Sequence, residues 1–145
     1  MSTYHTILIA IDFSKDSNEV AKRAVSIAQS HHSALHVVHV IEPMTLAYNE
    51  NTMVDLSNIE KEVEDHAKLQ LQKFGDRFHI PKSHQHFLLG SPAKQIHELA
   101  DNIVADLIVI GSHGRSGFAL LLGSTANSVL HGSKCDVLAV RVKNN

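Results

Sequence analysis

Continuous apolar, β-branched stretches recur along this chain, each followed by a segment whose apolar residues return every third or fourth position. The first, Thr-Ile-Leu-Ile-Ala-Ile from Thr6 to Ile11, has no polar face at all. Such a strand must be covered on both sides, as strands within a parallel sheet are. After the capping-rich loop Asp12 to Ser17, Val20, Ala21, Ala24, Ile27 and Ala28 keep helical spacing to about His31. Leu35 to Ile41 reads as a second strand stopped by Pro43, which cannot donate to a ladder. Leu56, Ile59, Val63, Ala67, Leu71, Phe74 and Phe78 then form the stripe of a long amphipathic helix that ends before Pro81. His86 to Leu89 is a short third strand, and Ser91-Pro92 supplies an N-cap and a first-turn proline for a helix burying Ile96, Leu99, Ala100 and Ile103. Leu107 to Ile110 is strand four, Ala126, Val129 and Leu130 mark a fourth helix, and Val137 to Val142 is strand five. Strict alternation requires crossover connections, so the expected fold is α/β: one doubly wound, five-stranded parallel sheet with helices on both faces, an open α/β sandwich.

The length of 145 residues suits a single domain spanning 1–145, able to bury about two thirds of its unfolded surface. No apolar run approaches membrane-spanning length, so no membrane partner is expected. The net charge of −2 lacks the basic excess of a nucleic-acid binder. Cys135 is the single cysteine and the N-terminus carries no signal-peptide pattern, which makes a cytoplasmic location the expectation. Twelve histidines raise the question of a metal. His36 and His39 point to opposite faces of strand two, His31 and His32 are sequence neighbours, and only His84 and His86 share a face, so no metal site is expected.

Ligands of open α/β sheets bind beyond the carboxyl ends of the strands, where the winding reverses. Between strand four and helix four runs Gly111-Ser-His-Gly114-Arg-Ser-Gly117, continuing to Gly123-Ser124-Thr125. Glycines there let the backbone take positive φ and approach a ligand closely, while Ser124 and Thr125 put hydroxyls and free N–H groups at a helix N-terminus, an arrangement suited to an anion. The plainer reading is an ordinary glycine-bearing strand-to-helix loop. Neither G-x-x-x-x-G-K-[ST] nor G-x-G-x-x-G is present, which removes the Walker and dinucleotide motifs. His113 can donate to a phosphate when protonated or face solvent, and the sequence does not choose; Arg115 is expected to be exposed. Asp12, just past strand one, either meets a ligand or satisfies loop amides. Convergence of two strand ends favours the ligand.

The pattern Gly111-x2-Gly114-x8-Gly123-Ser124, with Ile9-Ala10-Ile11-Asp12 at the end of the first strand, resembles the universal stress protein family over the whole chain. The resemblance implies a stress-response regulatory protein whose site for an adenine nucleotide, ATP or AMP with magnesium, is formed by Ala10, Asp12, Val40, Gly111, His113, Gly114, Gly123, Ser124 and Thr125. It also implies a homodimer paired through the strand Val137 to Val142. The stretch Arg115 to Leu122 is one residue shorter than in the nucleotide-binding branch, which makes a nucleotide-free dimeric interaction module the alternative reading. A slow ATPase is a third. Phosphoryl transfer needs cation clamps and a metal-holding carboxylate, and the loop offers no lysine, so no catalytic residue is assigned.

Overall fold

The computed structural model describes residues 3–43, 56–112 and 123–141. Strands β1 (Thr6–Ala10), β2 (Ala34–Ile41), β3 (Gln85–Leu89), β4 (Leu107–Gly111) and β5 (Asp136–Val140) alternate with helices α1 (Ser17–His31), α2 (Leu56–Arg77), α3 (Pro92–Ile103) and α4 (Ser124–Gly132). A single 3-10 turn, Lys82–His84, leads into β3. The sheet order is β3-β2-β1-β4-β5, and every neighbouring pair is parallel. The chain therefore winds outward from β1 to β3, returns across the sheet, and winds the other way through β4 to β5.

Two cores follow from the alternation of side chains along each strand. On one face Ile7, Ile9, Val37 and Val109 pack against Val20, Ala21 and Ala24 of α1 and against Leu71 and Phe74 of α2. On the other, Leu8, Ala10, Val38, Ile108 and Ile110 meet Ile96, Leu99 and Ala100 of α3 and Ala126 and Val129 of α4. The largest fully buried side chains lie mainly on the three central strands, among them Ile7, Leu8, Ile9, Val37, Val38, Ile108 and Val109. Each is worth about 1.5–3 kcal/mol relative to exposure. The small residues of α1 let that helix sit close to the sheet.

Several element ends differ from the sequence reading. β1 stops at Ala10, although the Ile11 amide still donates to the Val38 carbonyl at 3.0 Å. β5 runs from Asp136 to Val140 rather than from Val137 to Val142, and Val142 lies outside the described residues. Of the three apolar residues that mark α4, Ala126 and Val129 fill the contact with α3 and the sheet, and Leu130 is exposed. The apolar stripe of α2 is buried at Ala67, Leu71 and Phe74 but exposed at Ile59 and Val63. Ser91 takes the N-cap position of α3 without a side-chain capping bond.

Candidate functional site

The winding reversal opens a crevice between the carboxyl ends of β1 and β4. A cleft of about 400 Å³ lies there. Of the residues proposed from sequence, Ala10, Asp12, Val40, Gly111, Gly123, Ser124 and Thr125 line it together. His113 and Gly114 lie outside the described residues. The sequence reading missed the apolar walls: Val38 from β2, Ile110 from β4, and Pro92 and Ile96 from α3. The strand-end rule could have supplied Val38 and Ile110, since each neighbours a residue already singled out by its strand-end position. Pro92 and Ile96 depend on how α3 crosses the sheet, which no local pattern records.

Each polar group at the cleft is held by local chemistry. The Ser14 amide donates to Asp12 Oδ1 at 2.9 Å, and the Ser17 hydroxyl reaches the same oxygen at 3.3 Å. Asp12 thus organises its own loop and lines the cleft; the two readings of this residue are not exclusive. At the far wall Gly123 is the N-cap of α4, and its carbonyl accepts the first helical bond from the Asn127 amide at 2.9 Å. The N–H groups of Ser124 and Thr125 precede that bond, in the first turn whose amides have no intrahelical partner. Gly123 has φ −60°, an extended N-cap conformation open to any residue, so the positive φ expected of the loop glycines does not fall on it. The Gly123 amide donates to the Ser112 carbonyl at 2.7 Å, and the Ser112 amide to the Val140 carbonyl at 2.9 Å. The two described residues that flank 113–122 are therefore in hydrogen-bond contact.

Away from the cleft, three imidazoles meet at the amino-terminal side of β2 and β3. The His36 and His84 rings stack at 3.9 Å between centroids, inclined by 15°, and His36 Nδ1 and His86 Nε2 share a hydrogen bond of 2.9 Å. Sequence reasoning paired His84 with His86 but left out His36, because the register that sets His86 beside Val38 cannot be read locally. Burial, then the neighbouring imidazoles of His84 and His86, pushes His36 from its ordinary value of 6.5 down to about 4. His86 is lowered too, by burial first and by His84 second. His36 Nδ1 and His86 Nε2 are engaged with one another, and His84 Nδ1 donates to the Leu35 carbonyl at 3.0 Å. Among the described residues no group of three or more His, Cys, Asp or Glu side chains is arranged to hold a metal ion.

A sequence profile of the Universal stress protein family matches residues 3–141. The chain is 42% identical over 141 residues to Universal stress protein A homolog 1 of Coxiella burnetii, covering 97% of this chain and 98% of that relative. A solved universal stress protein from Lactobacillus plantarum superposes with a TM-score of 0.79 at 24% identity, covering 99% of this chain and all of that one, a likeness of fold. A universal stress protein solved in complex with cAMP superposes with a TM-score of 0.69 at 28% identity, covering 97% of this chain and 98% of that one. No helix among the described residues is long and apolar enough to cross a membrane.

Proposed function

Since the chain belongs to the universal stress protein family, we propose that its strand-end cleft binds an adenine nucleotide, ATP or AMP, and that the protein is a stress-response regulator rather than an enzyme. The observation that carries this reading is the convergence of Asp12, Val40, Gly111, Gly123, Ser124 and Thr125, drawn from distant parts of the sequence, on one cleft with apolar walls. Val38, Val40, Pro92 and Ile96 suit a flat base. The Asp12 carboxylate suits ribose hydroxyls, and the first turn of α4 suits a phosphate. The relative solved with cAMP supports an adenosine phosphate as the class of ligand. Among the described lining residues there is one carboxylate and no lysine or arginine, a set suited to binding rather than to phosphoryl transfer.

The regulatory unit in this reading is a cytoplasmic homodimer paired through β5. β5 is an edge strand of the sheet, and Val137 and Leu138 pack into opposite cores, so its apolar sequence serves burial while its outer backbone rim stays suited to pairing.

The test is mass spectrometry of nucleotide released from freshly purified protein, followed by thermal melting with added nucleotide. ATP or AMP at about a hundred times its Kd should stabilise the fold by about 2.7 kcal/mol, with guanine nucleotides doing less. Asp12→Ala should weaken binding, and Gly123→Val should abolish it while leaving the fold intact, because φ −60° admits valine without backbone strain. A folded, empty protein whose melting curve ignores millimolar adenine nucleotides would leave the nucleotide-free dimeric module as the better reading.

A further inference from the structure

We infer that His39 is a positioning residue for Asp12: buried on the opposite face of the sheet from the cleft, it fixes the backbone from which the Asp12 carboxylate enters the site. The inference rests on the nucleotide reading of that cleft. Val38 and Val40 line the cleft, so His39 between them points the other way, towards the core under α1 and α2. It is a buried polar residue, 8% exposed. Its ring Nδ1 lies 2.8 Å from the Ile11 carbonyl oxygen. A carbonyl only accepts, so Nδ1 carries the proton and donates, which sets the tautomer of the ring.

That carbonyl belongs to the peptide plane that also contains the Asp12 nitrogen. Holding it fixes the direction in which Asp12 leaves the strand. The other end of the same residue is held as well, since the Ile11 amide donates to the Val38 carbonyl at 3.0 Å. Beyond Asp12 the chain turns back on itself: Phe13 sits at φ 59°, a left-handed conformation costly for an aromatic residue, and its ring lies 4.2 Å from the His39 ring. Phe87 of β3 approaches the same imidazole at 6.4 Å. His39 therefore touches the residues on both sides of Asp12, by a hydrogen bond to Ile11 and by ring contact with Phe13. The Ser14 amide and Ser17 hydroxyl then orient the carboxylate itself. A leucine at 39 would fill much of the same space but would leave the Ile11 carbonyl without its imidazole donor.

The experiment measures AMP and ATP affinity by calorimetry for wild type, His39→Leu, His39→Asn, Asp12→Ala and the His39→Leu/Asp12→Ala double variant, together with hydrogen exchange at the Ser14 amide. His39→Leu should weaken binding roughly fivefold, because an Asp12 no longer held in place must be ordered when the ligand binds. His39→Asn, whose amide nitrogen can stand where Nδ1 stands, should recover most of that loss. In the Asp12→Ala background His39→Leu should have little further effect, because its influence passes through Asp12. Exchange of the Ser14 amide, which is bonded to Asp12, should accelerate in His39→Leu. Should His39→Leu not fold, Phe13→Ala removes the other arm of the clamp and enters the same cycle. Wild-type affinity and Ser14 protection in the leucine variant, an undiminished effect without Asp12, or asparagine as damaging as leucine would each overturn the inference. If wild-type protein binds neither nucleotide, the reading of the cleft fails, and Ser14 exchange still decides whether His39 positions Asp12.

Discussion

Val104 closes α3 in the left-handed region, at φ 55° and ψ 49°, with its amide donating to the carbonyls of Ala100 and Asp101. A β-branched side chain there pays about 1–2 kcal/mol in steric cost, and at 78% exposure Val104 recovers little of it by packing. Val104→Asn should therefore raise stability by about 1 kcal/mol, seen as a rise in Tm of about 3 °C. An unchanged or lowered Tm would mean that the exposed valine makes contacts that asparagine loses. At this scale sequence was a partial guide. Asp12 could be singled out because it breaks an apolar run at a strand end. The role inferred for His39 could not, because it depends on the left-handed turn at Phe13, a conformation for which that residue carries no local signal.

β1 and β4 were legible as elements because both are buried on both faces and so read as nearly unbroken apolar runs. Strand register was not, and the histidine cluster is the result of register. His86 pairs with Val38 across β2 and β3, two positions along from His36, and the 3-10 turn brings His84 over the same ring. The charges that bear on His36 are the other two imidazoles, so protonation there is opposed by both burial and repulsion. In the unfolded chain His36 titrates near 6.5, whereas in the fold it stays neutral down to about 4. The unfolded state then binds more protons across that interval, and stability is full above about pH 6.5 and falls as pH drops towards 4. Urea midpoints measured between pH 7.5 and pH 4.5 should decline, and His36→Phe, which keeps a stacked ring without a titrating group, should flatten the decline. A variant as acid-sensitive as wild type would assign the effect to other groups.

Across the whole molecule, the sheet separates two cores and offers β5 as a rim at one edge. The Val140 carbonyl accepts from Ser112, so the backbone groups of Val140 face β4, and by alternation those of Ala139 face outward. Proline is tolerated where an edge N–H points away from the sheet. Ala139→Pro should leave the monomer folded, by circular dichroism, while abolishing the dimer in sedimentation velocity at micromolar concentration. Wild type sedimenting as a monomer over that range would remove the proposed dimer altogether, and a proline variant that still dimerises would move the interface elsewhere. Val140 itself is a poor place for such a test, since its side chain is buried in the core shared with α1. Because the Gly123 amide closes onto the Ser112 carbonyl, the two residues that flank 113–122 are joined by a staple. A segment stapled in this way is an exchangeable cassette. Insertions or deletions between Ser112 and Gly123 should therefore add little closure cost and need not disturb the strands beneath.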